Sequence, residues 1–460
     1  MALHQIRSLV EACQRDIASG PIVPRVTPQE IRTYLASHYD FTTPTALEAI
    51  VADVEWMMRT WHVQVTHPRY FGLFNPSVTT ASVVADTLVA THNPQLATWR
   101  TSPAANEIER HTLAWLARKF GLPPDASATF TTGGAEANLS AVIVALTRAF
   151  PEYGRDGLRS LPAPPVIYVT REAHDSFNKI AHVTGIGRSA LRTVATDGSF
   201  RMDVGDLARQ VAEDRQRGLA PLMVVATAGT TAAGAIDPLT EIAQVCSSER
   251  VWLHVDAAWG GAAILSPRLR GHLAGIDAAD SITCDAHKWF SVSMGSGMFF
   301  CRHADAVRAA FRAQTSYMPP QTAGAVDDPY TMSIQWSRRF IGLKLFVTLA
   351  ERGEVGYVEM IEHQARMGDL LRESLERTGW RIVNDTPLPL VCFTRDGLVP
   401  AAFLESLHAR QIAWMSEVRL AGHGPVLRAC ITSFRTSRAD IEWVISEMSR
   451  VALRNCEVTS

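Results

Sequence analysis

An amine that can lose its proton is the scarcest reactive group in this chain. Lys and Arg together number 44, yet the only lysines are Lys119, Lys179, Lys288 and Lys344. Arginine stays charged and is a poor nucleophile, whereas a desolvated lysine amine can attack a carbonyl. Imine chemistry therefore has few places to happen. Lys119 reads as an exposed residue in the last turn of a helix, and Lys179 and Lys344 fall in helix-like patterns. Lys288 differs. It follows the apolar-and-small run from Ser281, within Asp285-Ala286-His287-Lys288-Trp289, and precedes the small residues Ser291, Ser293, Gly295, Ser296 and Gly297.

A lysine of this kind needs partners, and three stretches upstream supply candidates. His254-Val255-Asp256-Ala257-Ala258 places a carboxylate just after an apolar run. Asp256 is suited to hold a protonated pyridine nitrogen, which makes such a ring an electron sink. The alternative for Asp256 is a helix cap, since Ala257 and Ala258 follow. Thr131-Thr132-Gly133-Gly134-Ala135-Glu136-Ala137-Asn138 opens a long helical pattern. Small residues at a helix start bring backbone N–H groups close to a phosphate. His174 follows the strand-like run Val166–Thr170. It reads as a ring that stacks on a cofactor, with a core histidine bonded to backbone as the alternative.

These motifs, in this order, resemble the group II pyridoxal-phosphate (PLP) decarboxylases, which include glutamate, cysteine sulfinate, aromatic amino acid and diaminobutyrate decarboxylases. The resemblance runs from about residue 67 to about residue 447. It is carried by His67-Pro68-Arg69-Tyr70-Phe71, Ser102-Pro103 with Glu107, Gly133 to Asn138, His174, Gly229-Thr230-Thr231 with Gly234 and Asp237-Pro238, His254 to Gly261, and Asp285 to Trp289. It implies a PLP-dependent transferase fold of type I: a large α/β domain with a mostly parallel seven-stranded sheet, and a small C-terminal α/β domain. The division it implies is a helical, dimer-forming arm over 1–80, a PLP-binding domain over 81–350 and a small domain over 351–460.

The resemblance also implies roles. Lys288 forms the Schiff base. Gly134, Ala135, His174, Thr231, Asp256, Ala258, Asp285 and His287 surround the cofactor with it. Arg428 and Ser77 meet the substrate, Arg428 by gripping its α-carboxylate. Residues 315–333, rich in Pro and Gly, resemble the family's mobile catalytic loop, where Tyr330 is the expected donor of the proton to Cα and Tyr317 the second choice. The implied activity is decarboxylation of an L-amino acid to an amine. Alternatives are a PLP-dependent transaminase, a decarboxylating oxidase giving an aldehyde, and a PLP-binding protein without turnover. Two departures bear on the substrate. Glutamate decarboxylases carry a glutamine where this chain reads Phe71-Gly72-Leu73-Phe74, and Ala97 stands where some members carry phenylalanine. Asp285 stands where some carry an amide, and a carboxylate there would repel a phosphate.

The elements that must position these residues are legible as a pattern. Short apolar runs at Val166–Thr170, Leu222–Ala226, Val251–Val255, Ser281–Cys284 and Met298–Cys301 alternate with helix-length segments. That alternation describes a mostly parallel sheet covered by helices, with functional residues at the strand ends. His174, Thr231, Asp256 and Lys288 each closely follow such a run. Helices are expected at Ala81–Ala90, Ala104–Phe120, Ser337–Glu351, Val355–Arg377 and Arg438–Val451. A small sheet is expected from Ile382–Val383, Leu390–Phe393 and Val426–Ile431.

Composition excludes other classes. A length of 460 residues, 47% hydrophobic content and a formal charge of −2 describe a soluble protein of two or three domains' worth of core, with no basic excess for nucleic acid. No stretch is long enough to span a bilayer, and residues 1–20, with Arg7, Glu11, Arg15 and Asp16 at helical spacing, lack a signal-like apolar core. Seven cysteines without CxxC spacing fit reduced thiols in the cytoplasm, and no metal site is expected. Cys284 reads as a buried structural thiol. Arg100 reads as a surface or interface charge, with an acidic substrate as the alternative. A homodimer with its active site near the interface is the expected assembly.

Overall fold

The computed structural model describes residue 11, residues 17–313 and residues 327–457, with the side chains of the last helix described as far as residue 452. Arg7, Arg15, Asp16 and Tyr317 lie outside the described residues.

Seven strands form the main sheet: β1 (Ser127–Thr131), β2 (Pro165–Thr170), β3 (Leu191–Val194), β4 (Ala220–Thr227), β5 (Trp252–Asp256), β6 (Ser281–Asp285) and β7 (Gly297–Cys301). Their spatial order is β1-β7-β6-β5-β4-β2-β3. The run from β3 to β6 is parallel, while β7 pairs antiparallel with both β6 and β1. Because two reversals cancel, β1 points the same way as β6. The C-terminal ends of β1, β2, β4, β5 and β6 therefore open on one edge of the sheet.

Alternation along each strand builds a core on both faces. Val166 and Tyr168 of β2 enter one cluster with Leu113, Leu207 and Ile242 from flanking helices. Ile167 and Val169 enter the other, with Ala137, Ala141 and Val144 of the helix Gly134–Ala149. Burial on both faces explains why the strands read as continuous apolar runs rather than as alternating ones. Strand β1 was not expected from sequence, because Thr129 and Thr131 make it look polar; both are buried.

The second sheet is antiparallel, in the order β10-β11-β9-β8, from β8 (Arg381–Ile382), β9 (Leu390–Thr394), β10 (Ser416–Leu420) and β11 (Gly424–Cys430). The helices Pro400–Ala409 and Arg438–Glu457 pack on it through Phe403, Leu407, Val444 and Met448.

One helix departs from expectation. The first of the two helices was expected from Ser337 but starts at Leu343; the expected division between Glu351 and Val355 is present, at Gly353, where φ is 65° and ψ 178°. Ser337–Gly342 is tied elsewhere. The buried Arg338 guanidinium donates to both carboxylate oxygens of Glu109 at 3.0 and 2.6 Å, and Gly342 N–H donates to Glu109 Oε1 at 2.9 Å. A buried ion pair with the helix Pro103–Lys119 outcompetes one more helical turn. Among the described residues no helix is long and apolar enough to cross a membrane.

Candidate active site

The shared C-terminal edge of the strands encloses a cavity of about 240 Å³. The nine residues expected to touch a cofactor, from Gly134 to Lys288, all line it. They arrive from five strand ends, so their separation in sequence follows from the topology.

Lys288 sits in the turn after β6. Its Nζ lies 3.0 Å from Asp285 Oδ2 and 5.5 Å from the centre of the Phe74 ring. The next residue, Trp289, is fully buried and donates from its indole to Gln364 Oε1 at 2.8 Å, which anchors the turn. His287 accepts the Ser296 N–H at Nδ1, 3.0 Å. Burial lowers its pKa, so the neutral ring carries its proton on Nε2. That nitrogen faces Gly133, whose hypothetical Cβ would lie 4.0 Å from it.

The helix Gly134–Ala149 begins at the cavity. A Cβ on Gly134 would come within 2.9 Å of Asp285 Oδ2 and 3.3 Å of the Ala258 methyl, so backbone alone fits there. The first N–H groups of this helix and His287 Nε2–H form a cradle suited to an anion, with the Asp285 carboxylate as a competing charge whose Oδ2 lies 3.9 Å from His287 Nε2. Asp285 Oδ1 is buried without a partner on the same wall.

Asp256 ends β5, 4% exposed. Its Oδ1 accepts the Ala258 N–H at 3.1 Å and its Oδ2 accepts Asn138 Nδ2–H at 2.9 Å. The cap weighed as an alternative is absent: the next helical turn starts at Gly260 behind Trp259, and the Ala258 contact is a local turn that uses one lone pair of one oxygen. The carboxylate retains acceptor capacity toward the cavity. Asn138 lies in the Gly133 to Asn138 motif, where its type alone marks no role. The signal was a single amide one turn into the helix that starts at Gly134.

His174 follows β2 and accepts the Ser176 N–H at Nδ1, 3.1 Å. Arg428, on β11, comes from the small sheet and is 1% exposed. Its Nε donates to the Thr231 carbonyl at 2.9 Å and its Nη1 to the Gly72 carbonyl at 3.0 Å, while Nη2 is buried without a partner. The guanidinium lies 4.9 Å from the centre of the same Phe74 ring that Lys288 approaches. Phe74 in turn stacks on Trp259 at 4.6 Å. Arg428 and Lys288 therefore approach the same aromatic ring of the cavity lining, although Arg428 itself is not part of that lining.

Two expected site residues stand elsewhere. Ser77 is fully buried, and its hydroxyl accepts from Arg435 Nε at 3.0 Å, outside the cavity lining. Tyr330 does not line the cavity either. Asp328 accepts the Trp99 N–H at 2.7 Å, Tyr330 N–H donates to the Ala97 carbonyl at 3.2 Å, and the phenol ring packs 4.9 Å from Trp336. Those contacts hold it against its own chain's residues 97–99. Leu73 turns to solvent, 50% exposed, and Phe74 rather than Leu73 faces the amine.

An amine, an acceptor carboxylate, a helix-start cradle and a ring-bearing histidine on one cavity match the donor set that PLP requires. The chain's relatives agree. The pyridoxal-dependent decarboxylase conserved domain matches residues 28–395. An aromatic-L-amino-acid decarboxylase from Bacillus atrophaeus is 31% identical over 332 residues, covering 72% of this chain and 68% of that protein. An L-2,4-diaminobutyrate decarboxylase from Rhizobium meliloti (strain 1021) is 34% identical over 320 residues, 69% of this chain and 62% of that one. Among solved structures, Oryza sativa TDC with PLP and tryptamine superposes with a TM-score of 0.90 at 24% identity over 98% of this chain and 97% of that one. Mouse CSAD gives 0.88 at 23% over 97% and 98%. Those two show the fold. The chain belongs to the pyridoxal-dependent decarboxylase family and is a PLP-dependent carboxy-lyase of fold type I.

Proposed function

We propose that this enzyme removes the α-carboxylate of an L-amino acid, releasing carbon dioxide and an amine, at the cavity built around Lys288. The bound cofactor supplies the electron sink for the pair left when the Cα–carboxylate bond breaks. The remaining work falls to the chain. Lys288 Nζ is the amine that holds the cofactor's aldehyde. Asp256 holds the proton on the ring nitrogen. The start of the helix Gly134–Ala149 and His287 Nε2–H hold the phosphate, and His174 lies on the ring face. Arg428 directs its unpartnered Nη2 at the substrate carboxylate. Tyr330 does not line the cavity of its own chain. We assign its part in returning a proton to Cα to the cavity of a second subunit.

The observation that carries this reading is the convergence of Lys288 and Asp256 on one cavity whose other wall is a helix start. It is tested by loading the enzyme with PLP, reducing it with borohydride and mapping the modified peptide, alongside a screen of amino acids for carbon dioxide release. The pyridoxyl group belongs on Lys288. Finding it on Lys119, Lys179 or Lys344, or finding no release from any amino acid, would end the proposal.

A homodimer is part of the same proposal. The arm helices Pro28–His38 and Leu47–Thr60 contain no buried residue, and Phe41, Leu47 and Met58 are 95, 58 and 55% exposed. A second copy of the chain would cover them. Five free cysteines among the described residues, all buried, support a reducing, cytoplasmic setting.

A further inference from the structure

A directed chain of hydrogen bonds runs through the interior to Asp256. Strand β5 carries Trp252, His254 and Asp256 on one face, two residues apart, and Ser281 of β6 pairs in register with His254. Trp252 Nε1 is a donor only, and it donates to Ser281 Oγ at 2.8 Å. A carboxylate only accepts, so Asn138 turns Nδ2–H to Asp256 and Oδ1 to His254 Nε2, and His254 Nδ1 is left to accept the Ser281 hydroxyl proton, 2.8 Å away. With Nδ1 accepting, a neutral imidazole carries its proton on Nε2, which lies 3.0 Å from Asn138 Oδ1. Burial pushes the His254 pKa down to about 4, so the ring is neutral at physiological pH. Asn138 then has one orientation. Its oxygen faces His254, and its Nδ2–H faces Asp256 Oδ2 at 2.9 Å and Ser176 Oγ at 3.3 Å. Every member is at least nine-tenths buried; Thr283 Oγ1 is a second, longer partner of His254 Nε2 at 3.5 Å, and turning Asn138 over would set its oxygen against Asp256 Oδ2 and take that oxygen's donor away.

We propose that His254 is a positioning residue of this enzyme: by fixing the orientation of Asn138 it keeps an N–H donor on Asp256 and holds that carboxylate as an acceptor for the cofactor's ring nitrogen. The inference rests on the reading of Asp256 given above and extends it to a residue that does not line the cavity. Without the imidazole, Asn138 can turn its oxygen toward Asp256. Two acceptors would then face each other, and the carboxylate would swing away or take up a proton itself.

The test compares dissociation constants for PLP and for its 1-deaza analogue, in which a C–H replaces the ring nitrogen, by equilibrium dialysis on the full-length apoenzyme. The ratio of the two isolates what the site contributes to that nitrogen. A hydrogen bond to a charged group corresponds to a tenfold or larger effect, so the unaltered enzyme is expected to prefer PLP by about tenfold or more. His254→Leu and Asn138→Ala are expected to bring the ratio close to one. His254→Gln, which still offers an N–H to Asn138, is expected to keep most of it. General loosening of the fold lowers both affinities together and leaves the ratio alone. A ratio unchanged in His254→Leu overturns the proposal. Should that variant fail to fold, an unchanged ratio in Asn138→Ala does so instead. Asp256→Asn separates the layers. If the unaltered enzyme shows no preference, or Asp256→Asn keeps it, the reading of Asp256 has failed. If the preference needs Asp256 but ignores His254 and Asn138, only the positioning role has failed.

Discussion

Replacing Arg428 by lysine keeps the charge and removes the geometry. The guanidinium holds two carbonyls at once, Thr231 O through Nε and Gly72 O through Nη1, and presents Nη2 with no partner. A lysine ammonium on a flexible stem cannot satisfy both carbonyls and still aim a donor at a third group. Arg428→Lys is therefore expected to lose one charge-assisted contact to the substrate carboxylate, about 1.5–3 kcal/mol, or roughly 10- to 150-fold in kcat/KM. The control is the product amine, which lacks the carboxylate and should bind the variant within about twofold of the unaltered enzyme. Affinity for PLP should change less than kcat/KM, since Arg428 meets the cavity lining through the Thr231 carbonyl and does not line it itself. The assay is steady-state kinetics with the best amino acid from the release screen, beside competition by the matching amine. Equal losses for acid and amine would show that Arg428 supports the Phe74 wall rather than gripping a carboxylate, and no loss at all would remove it from the site.

Two further expectations concern stability. His254 has a folded pKa of about 4 against an ordinary 6.5, so its contribution is complete above pH 6.5 and is lost as pH falls toward 4. At pH 5 that loss amounts to about 2 kcal/mol. Asp237 acts in the opposite sense, because burial raises its pKa to about 6 and acidification through that range favours the folded state. The unaltered protein should nonetheless lose more of its urea-unfolding free energy between pH 8 and pH 5 than His254→Gln does. Identical losses in the two proteins would contradict a buried neutral imidazole. At Gly353, φ of 65° with ψ of 178° is backbone that only glycine adopts readily, and no atom lies within 4 Å of a hypothetical Cβ. Gly353→Ala should cost about 1–3 kcal/mol through the backbone alone, and a variant as stable as the parent would refute the need for glycine at the break.

What the sequence disclosed and what it withheld divide along one physical line. Lys288, Asp256, His174 and Thr231 were legible because each follows an apolar run, and a parallel sheet brings such strand ends to one edge whatever their spacing in the chain. Strands β3 and β10 were not, since Leu191–Val194 is short and Ser416–Leu420 is charged, as edge strands tend to be. Single side chains anchored by distant partners were harder still. Tyr330 looked like a free loop tyrosine, but Asp328, 229 residues from Trp99, holds its segment to the wall of its own chain. Arg338 looked helical until a carboxylate 229 residues away claimed it. Phe74 illustrates the same limit inside the site. It comes from an aromatic stretch without periodicity, and nothing local marks it above Phe71 or Leu73. Only the arrival of β11 brings the guanidinium of Arg428 to the ring that the amine of Lys288 also approaches. Local pattern decides which strand end a residue occupies, whereas the chemistry across a cavity depends on which second element packs there. That is why Asn138 and Phe74, the two residues that join separate parts of this site, carried the weakest local signals.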